Sequence, residues 1–364
     1  MKNKKILILC PYPQDIAAGQ RLKYEQYFKS WIEAGYDIEV SPFFNRAAWN
    51  ILWKKGHILK KVWHTIFGYI KRMGDLARLE KFDKIYVYMW VTPLFDSIFE
   101  RLFLLICSNL IYDFDDSVFL DQTNIKGDFF RKYIKNNNKS IILIRHAACV
   151  ITSSPFNLEY CISNNKFNSA IYIPCSLDIK RFVPLNNYHR EKISIGWTGT
   201  FTTKNYLDSI KHVIEDACKE FDLKLVLITN FDYHIDNIDI EVIRWREDSE
   251  IQDLQKIDIG LYPVIPSNWA LGKGGLKTLQ YMSIGIPSIS TNFGTSTKIV
   301  TNGKNGFLAN NDKDWMDNIK LLVDDPCLRK EIGICARNHV LENYSTHVTE
   351  RLYLEALAKE PSNV

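Results

Sequence analysis

The feature that most constrains this chain is a repeated alternation between short apolar runs and helix-length amphipathic segments. The apolar runs are rich in β-branched residues and leucine, as in KKILILC near the start and LKLVLIT in the second half. The segments between them place apolar residues at helical spacing, as in NYLDSIKHVIEDACKEF. Because such alternation is typical of parallel sheets with helices on both faces, we predict an α/β fold with doubly wound sheets.

The alternation occurs in two series, which predicts two Rossmann-like domains. At 364 residues the chain is too long for one ordinary core. The stretch at about 176–192 loses all periodicity and contains proline and asparagine, so we expect the linker there. We place the first domain at 1–180, the second at 190–345 and a last amphipathic helix at 346–364. Since ligands bind at the carboxyl ends of parallel strands, we expect the two domains to face each other across a ligand-binding cleft.

Composition disfavours several classes of protein. The 46 basic and 42 acidic residues give a net charge of +4, too small to favour nucleic acid as a partner. The 8 cysteines form no C-x-x-C pair and often lie in apolar runs, which favours free thiols in a reduced, cytosolic compartment. The histidines show no metal-ligand spacing and no G-x-S-x-G is present, so we expect neither a metal or cofactor nor a hydrolase.

The stretch GKGGLKTLQYMSIGIP, residues 272–287, predicts a helix with two different faces. Its apolar residues Leu276, Leu279 and Met282 lie at helical spacing. The opposite face and the glycine-rich start consist of Lys273, Lys277, Gln280 and Tyr281, and of Gly272, Gly274 and Gly275.

This arrangement is typical of an anion site. Glycines allow the backbone to approach a ligand, and the N–H groups at a helix N-terminus attract phosphate. Lys273 and Lys277, one turn apart, would repel each other by roughly a few tenths of a kcal/mol unless an anion lies between them, which favours a diphosphate. The alternative is a solvated helix face preceded by an ordinary glycine turn.

The turn IGWTGTFTTKNYL offers donors for the other side of the phosphates. Gly199 and the threonines around Thr200 provide backbone and hydroxyl groups between a predicted strand and a predicted helix. The turn is not a Walker loop, because no G-x-x-x-x-G-K-[ST] occurs in the chain. A threonine-rich N-cap is the alternative. We expect Lys204, which follows, to be exposed.

The run YDFDDSVF places Asp113, Asp115 and Asp116 at the end of a predicted strand. Three carboxylates so close together would be costly to bury without a counter-charge, so we expect a positive or proton-donating partner nearby. One of them is a candidate to accept the proton of a hydroxyl substrate. A metal site and a plain N-cap cluster are the alternatives.

The segment PYPQDIAAGQRLKYEQYF follows the first strand and places Gly19, Gln20 and Arg21 at a predicted helix start. Arg21 is a candidate to hold a phosphate of the acceptor or to pair with the aspartates. A surface arginine is the alternative.

Residues 46–81 contain nine Lys or Arg and two acidic residues, a local charge of +7, with aromatic residues interleaved. Basic helices with aromatic anchors are typical of segments that lie on a membrane surface. The alternative is an ordinary helix pair whose aromatic residues belong to the core.

The block from about 193 to 345 resembles the donor-binding domain of glycosyltransferase family 4, whose members have the two-domain GT-B fold. It is most similar to the branch in which a G-K-x-G-x-K-x-L-Q-Y-M run replaces two glutamates eight residues apart. In the common pattern the first glutamate touches the transferred sugar and the second the ribose; these positions are Gly272 and Gln280 here. The D-x-D-D run and the G-x-R turn at Arg21 resemble the same branch.

The resemblance implies a metal-independent glycosyltransferase, and the amide of Gln280 keeps the capacity to bind ribose. It implies that the last helix crosses back to the first domain, and that Lys273 and Lys277 stabilise the leaving diphosphate. The donor-binding residues so implied are Gly199, Thr200, Gly272, Lys273, Gly274, Gly275, Lys277 and Gln280. The candidate catalytic residues are Asp113, Asp115, Asp116 and Lys277, and the acceptor-binding residues are Gly19, Gln20 and Arg21.

We therefore expect a sugar to pass from a nucleotide diphosphate donor to a hydroxyl of a glycan or lipid-linked saccharide in cell-surface polysaccharide assembly. We expect a cytoplasmic protein that lies on the inner membrane face through residues 46–81. Two alternatives remain: a non-catalytic GT-B scaffold that binds a partner or an oligosaccharide, and a nucleotide-sugar epimerase.

Overall fold

The computed structural model describes residues 3–120, 138–184 and 192–360. They form two compact units. The first unit consists of Met1–Pro174, Gly272–Gly274 and Thr349–Val364, and the second of Cys175–Leu271 and Gly275–Val348. The assignment of acceptor binding to one domain and of donor binding to the other stays a prediction. So do the domain boundaries, and residues 185–191 of the expected linker lie outside the described residues.

The first unit contains one six-stranded sheet. Its strands are β1 (Lys4–Cys10), β2 (Tyr36–Pro42), β3 (Lys84–Tyr88), β4 (Leu110–Phe114), β5 (Cys149–Thr152) and β6 (Ala170–Tyr172). They are parallel and lie in the order β2-β1-β3-β4-β5-β6. The accompanying helices are α1 (Ala18–Arg21), α2 (Phe28–Glu33), α3 (Arg46–Leu52), α4 (Ile58–Leu76), α5 (Ile98–Ile106), α6 (Asn138–His146) and α7 (Pro155–Asn164).

Strand β1 shows why this sheet has helices on both faces. Successive side chains of a strand point to opposite faces, so its continuous apolar run supplies two cores. Ile6 and Ile8 pack in the cluster that contains Trp31. Leu7 and Leu9 pack in the opposite cluster, with residues of β3, β4 and α6.

The second unit repeats this architecture. Its strands are β7 (Ser194–Gly199), β8 (Lys224–Thr229), β9 (Asp239–Arg244), β10 (Ile259–Tyr262), β11 (Ser288–Thr291) and β12 (Phe307–Ala309). They are parallel and lie in the order β12-β11-β10-β7-β8-β9. The remaining helices are α8 (Lys204–Asp208), α9 (Lys211–Glu220), α10 (Glu250–Leu254), α11 (Asn268–Leu271), α12 (Leu276–Ser283), α13 (Ser296–Ile299), α14 (Asp312–Asp324), α15 (Pro326–Asn343) and α16 (Thr346–Ala358). The predicted doubly wound α/β class is confirmed.

Two helices expected from the sequence are interrupted. The segment predicted as one helix from Gln20 forms α1, a 3₁₀ turn and α2, because Lys23 and Tyr24 turn inward and are buried. Ile32, an apolar residue of this segment, is 56% exposed. The segment NYLDSIKHVIEDACKEF, also predicted as one helix, forms the two helices α8 and α9.

The last helix contributes to the core of the first unit from Thr349 onward. Tyr353 lies in the same cluster as Trp31 and Tyr27, with its ring centroid 4.5 Å from that of Tyr27. The Tyr27 hydroxyl also shares a hydrogen bond with the Thr349 hydroxyl at 2.6 Å. The first core therefore needs residues from both ends of the chain.

Across residues 3–120, 138–184 and 192–360, none of the helices combines the length and the apolarity needed to cross a bilayer.

Candidate functional site

A lysine is held at the carboxyl end of β7 in the second unit. The Lys277 ammonium lies 4.5 Å from the centroid of the Trp197 ring and 3.4 Å from the hydroxyl of Thr203. A Cβ atom at Gly199 would lie 2.2 Å from the Trp197 ring and 2.7 Å from the Lys277 ammonium, so glycine makes this arrangement possible. Ligands of parallel sheets bind at this end of the strands, which makes the fixed cation a candidate for phosphate binding.

The helix that presents Lys277 is shorter than the sequence suggests. It begins at Leu276, after Gly275, whose φ of 73° is the left-handed conformation that glycine adopts without strain. Lys273 therefore precedes the helix, and the expected pair of lysines one helical turn apart is wrong.

Tyr281 was expected on the ligand-facing side, and this expectation is also wrong. Its side chain is fully buried, and its hydroxyl accepts a hydrogen bond from the backbone N–H of Thr198 at 3.0 Å. A Cβ atom at Gly260 would lie 2.4 Å from the Tyr281 ring, so the ring packs where β10 has no side chain. Tyr281 thus fixes α12 to the sheet.

Gly272 and Lys273 belong to the first unit. The Lys273 ammonium lies 3.9 Å from a carboxylate oxygen of Asp116. A Cβ atom at Gly272 would lie 2.2 Å from the Ser117 hydroxyl and 2.6 Å from its backbone nitrogen. Any side chain at position 272 would collide with backbone, which is a physical reason for glycine there. Gly274 follows as the last residue of this short segment.

Gln280 lies in a buried polar chain in the second unit. Its amide nitrogen donates to Glu250 at 3.1 Å, and Arg181 donates to the other carboxylate oxygen of Glu250 at 3.4 Å. Gln280 and Glu250 are both buried. The residue expected to bind ribose is therefore held in place by an ion pair that the sequence did not indicate.

The threonine turn after β7 has an internal structure of its own. Thr200 precedes a 3₁₀ turn, and its backbone N–H donates to the Thr203 hydroxyl at 3.3 Å. The threonine-rich cap, which was the alternative for this turn, therefore exists, and a phosphate role for Thr200 stays a prediction. Lys204 pairs with Asp208 at 2.6 Å and is half-buried.

The aspartate run of the first unit is built around Lys23. The Lys23 ammonium lies 2.7 Å from oxygens of both Asp113 and Asp115 and donates to the carbonyl of Phe114 at 2.9 Å. These three acceptors match the three donors of an ammonium group. The expectation of a counter-charge is confirmed. A metal at this place would have to displace Lys23.

Two tyrosines complete the cluster. The hydroxyl of Tyr86 donates to Asp113, and that of Tyr88 donates to Asp115. Both tyrosines belong to β3, two residues apart, so they point to the same face of the sheet beside β4. The cluster therefore consists of groups fixed by adjacent strands.

The three aspartates differ in exposure and in pKa. Asp113 has no exposed surface, and burial raises its pKa to about 6 against the opposing effect of Lys23. The side chains of Asp115 and Asp116 are 29% and 38% exposed. Burial also raises the pKa of Asp116, and Lys273 opposes this shift. Asp115 and Asp116 are therefore better placed than Asp113 to meet a substrate.

The turn before α1 is tightly bonded. Both ends of the Gln20 amide bond to the backbone of Tyr12 at 2.9 Å, and the nitrogen also bonds to Glu25. Gln20 therefore fixes the loop after β1. Arg21 is buried, so the alternative of a surface arginine is wrong. Gly19 lies against the Tyr88 hydroxyl, which a Cβ atom would approach to 3.1 Å.

Helix α4 has an exposed apolar stripe. The large apolar side chains along it that are about half exposed or more are Ile58, Leu59, Val62, Trp63, Ile66, Phe67, Ile70 and Met73. Trp53, before the helix, is 71% exposed. Two aromatic residues of the segment 46–81 behave differently: Trp49 packs on Tyr12, and Tyr69 packs on Phe43. For these two, the alternative that the aromatic residues belong to the core is correct.

Several residues of these clusters escaped the sequence analysis. Lys23 was assigned to the predicted helix after the first strand, and Glu250 was not singled out. Tyr86 and Tyr88 gave a usable signal, because two hydroxyl-bearing residues alternate in a strand that is otherwise fully apolar after its first residue. Their partners lie 27 residues away, so the sequence could not identify them.

The comparisons with known proteins agree with this architecture. Residues 192–325 match the sequence profile of the family described as Glycosyl transferases group 1. D-inositol 3-phosphate glycosyltransferase of Paenarthrobacter aurescens (strain TC1) is 28% identical over 92 residues, which cover 25% of this chain and 22% of that protein. The match thus spans about a fifth of that curated relative.

Solved structures resemble the whole chain. A glycosyltransferase from Rickettsia africae ESF-5 has a TM-score of 0.67 at 14% identity, over 100% of both chains. Sucrose-phosphate synthase from Thermosynechococcus elongatus has a TM-score of 0.66 at 14% identity, over 98% of this chain and 100% of that one. Anabaena Alr3699/HepE in complex with UDP-glucose has a TM-score of 0.66 at 13% identity, with the same coverage. The chain thus has the predicted GT-B fold, and residues 192–325 are similar to the group 1 glycosyl transferases.

Proposed function

We propose that this protein transfers a sugar from a nucleotide diphosphate donor to a hydroxyl of a glycan or a lipid-linked saccharide, in the assembly of a cell-surface polysaccharide. The bond between the anomeric carbon and the phosphate oxygen breaks, and a bond from that carbon to the acceptor oxygen forms. The nucleoside diphosphate leaves with the electron pair, and the acceptor hydroxyl loses its proton to a base.

The observation that carries this proposal is the position of Lys277. Its ammonium is held by Trp197 and Thr203 at the carboxyl end of β7, beside Gly199. A fixed cation at a glycine turn suits the charge that develops on a leaving diphosphate. Gly199, Thr200, Gln280 and the segment 272–275 complete the proposed donor-binding set.

The proton acceptor is proposed among the aspartates of the first unit. Asp115 and Asp116 have exposed side-chain surface, whereas Asp113 does not. The raised pKa of Asp116 suits a base, because a group with a higher proton affinity removes a proton more readily. Arg21 and Gly19 are proposed to bind the acceptor, with Gln20 fixing the loop that carries them.

The finer family assignment is also part of the proposal. We place the chain in the branch of glycosyltransferase family 4 that has a G-K-x-G-x-K-x-L-Q-Y-M run. The close approach of Gly272 to Ser117 supports it, since no glutamate would fit at position 272.

Calorimetric titration with UDP, GDP, ADP, CMP and dTDP in the presence of EDTA tests the donor site. UDP comes first, because Anabaena HepE was solved with UDP-glucose. We expect one diphosphate to bind, and Lys277→Ala to weaken its binding by about tenfold to a hundredfold, the effect of a charged hydrogen bond. Lys204→Ala is the matched control, since Lys204 already pairs with Asp208. Equal binding by Lys277→Ala and the unmodified protein would reject the phosphate role.

We propose in addition that α3 and α4 lie on an anionic membrane surface. The exposed apolar side chains of α4 run along the helix from Ile58 to Met73, and contiguous exposed apolar patches mark protein or membrane contact sites. Its flanks are basic, with Lys54, Lys55, Lys60 and Lys61 exposed or half-buried, while the acidic Asp75 is buried against Arg72. Apolar side chains with lysines beside them complement anionic lipid.

Co-sedimentation with phosphatidylcholine vesicles, with and without a third of phosphatidylglycerol, tests this surface. We expect binding only to the anionic vesicles, lost in Leu59→Ser/Trp63→Ser and weakened by salt in the unmodified protein. Lys29→Ser, at a lysine outside this segment that is 88% exposed, is the control. Binding that the double variant retains would place the contact elsewhere, and a shift from dimer to monomer in that variant would assign the stripe to a second copy of the chain.

A further inference from the structure

The amide of Gln280 is oriented by its neighbours. Glu250 accepts from Arg181 through one oxygen and from the Gln280 nitrogen through the other, at 3.4 and 3.1 Å. A carboxylate paired with a guanidinium only accepts hydrogen bonds, so the Gln280 end that faces it must be the NH₂ group. Because the two ends of a planar amide diverge, the Gln280 carbonyl oxygen points away from Glu250.

We infer that Glu250 and Arg181 are positioning residues that make Gln280 a hydrogen-bond acceptor for ribose hydroxyls, and so make the donor site select ribonucleotides. A glutamine whose nitrogen is already engaged offers a ligand only its oxygen. In that state it presents the same kind of atom as a glutamate would, without the negative charge. This inference rests on the proposed function, because it concerns the nucleoside part of the same donor.

Arg181, the outermost residue of this polar chain, also borders an open cavity at the surface. Arg181 lines an open cavity of about 700 Å³, together with Arg246, Glu247 and Asp248. This volume lies within the usual range of small-molecule sites, about 300–1,000 Å³. Glu250 lies two residues after Asp248, and its side chain is 4% exposed, so its two carboxylate oxygens serve Gln280 and Arg181 rather than solvent.

The locked orientation has a measurable consequence. If the side-chain amide of Gln280 could rotate freely, it could present either its oxygen or its nitrogen to the sugar. The preference for a ribonucleotide over an analogue without ribose hydroxyls would then weaken. With the nitrogen engaged, loss of the ribose hydroxyls leaves the oxygen without its donor. A site built to bind a hydroxyl rejects an analogue that lacks it.

The test compares a nucleoside diphosphate that binds with its 2′,3′-dideoxy analogue by calorimetry. We expect the unmodified protein to bind the ribonucleotide at least about tenfold more tightly, from roughly one or two hydrogen bonds. In Glu250→Gln the ratio falls to below about threefold, because the amide at 280 loses its fixed acceptor. In the double variant Glu250→Gln/Gln280→Glu the ratio returns, since the new amide at position 250 would donate to a carboxylate that still accepts from ribose.

The controls separate this role from structural damage. Glu241→Gln makes the same chemical change at a carboxylate that pairs with Lys224 and Lys256, and it leaves the ratio unchanged. A ratio that stays at the unmodified value in Glu250→Gln overturns the inference, while the proposed function stands if Lys277→Ala still weakens binding. If no nucleoside diphosphate binds, the proposed function fails and this inference fails with it.

Discussion

The Lys23 ammonium lies 2.7 Å from a carboxylate oxygen of Asp113 inside the first unit, where Asp113 has no exposed surface. The same ammonium is 2.7 Å from Asp115, so one positive charge serves two carboxylates. Buried charges of this kind are tolerated only while each has its partner. The geometry of the candidate proton acceptors therefore depends on a residue of the segment before α2.

Replacing Lys23 by methionine is expected to destabilise the protein by about 3–5 kcal/mol at pH 8, because it leaves a buried carboxylate without its counter-charge. The loss shrinks as pH falls and the carboxyl groups take up protons. Urea unfolding at pH 8 and pH 5 measures it. Lys29→Met, at a side chain 88% exposed, is the control. A loss below about 1 kcal/mol at pH 8 would contradict the role of Lys23.

The pKa of Asp113 predicts a specific pH dependence. Burial raises it from the usual 3.8 to about 6, so between these values the folded protein binds more protons at this site than the unfolded chain. The contribution of Asp113 to stability is then fully present below pH 3.8 and is lost as pH rises through 6. Over this pH range the contribution of Asp113 to the free energy of unfolding falls by about 3 kcal/mol.

Asp113→Asn removes this titration. The stability of the unmodified protein minus that of the variant should fall as pH rises from about 4 to about 7, measured by urea unfolding at each pH. Asp37→Asn, at an exposed aspartate of β2, should give a nearly constant difference. A difference for Asp113→Asn that is flat or rises with pH would contradict the expected shift.

Restoring the glutamate of the commoner family pattern is expected to harm this protein. In Gly272→Glu the new Cβ atom would meet the backbone nitrogen of Ser117 at 2.6 Å, which backbone can relieve only by moving. We expect a loss of about 1–3 kcal/mol in stability and reduced sugar transfer. Thermal unfolding and a transfer assay measure the two effects.

Gly74→Ala is the matched control for this substitution, since no atom lies within 4 Å of its added Cβ and it lies in α4. It should stabilise the helix by about 0.5–1 kcal/mol. Higher transfer activity in Gly272→Glu than in the unmodified protein would show that position 272 has room for the carboxylate.

Arg72 is expected to be essential for the first unit. It is fully buried and donates to the carbonyls of Cys10, Ser41 and Val91 while pairing with Asp75 at 2.9 Å. Arg72→Leu would remove a donor from these carbonyls and one of the two guanidinium partners of Asp75, which keeps Arg78. It should cost about 1–3 kcal/mol in urea unfolding. Lys60→Ala, exposed on the same helix, should change stability by less than about 0.5 kcal/mol. Similar values for the two variants would contradict this account.

Strands such as β1 and β8 were predicted because they are short apolar runs with clear ends, whereas the three-residue strands β6 and β12 were not predicted. The spacing of Asp113, Asp115 and Asp116 also indicated that burying these carboxylates is costly, and so predicted a positive partner nearby. The spacing did not identify Lys23, because it lies 90 and 92 residues from its partners and reads as a polar position of a helix. Arg72 was counted among the basic residues of 46–81, because the carbonyls of Cys10, Ser41 and Val91 that bury it lie outside that segment.

The start of α12 shows a different limit. Its spacing predicted a helix from Gly272, but Gly275 adopts a positive φ and the helix begins at the residue after it. Tyr281 was assigned to the wrong side, since nothing in its neighbourhood indicates the space above Gly260 that its ring fills. Packing between distant glycines and rings decides such positions, and it is visible only in three dimensions.

The contact of Tyr353 with Tyr27 and Trp31 has a consequence for synthesis on the ribosome. The N-terminal unit cannot complete its core until the chain beyond Thr349 has emerged. At about 5–20 residues per second, the residues between Pro174 and Thr349 delay this by roughly ten to thirty-five seconds. During that interval Trp31 and Tyr27 lack the ring of Tyr353, and apolar surface exposed in this way is prone to aggregate.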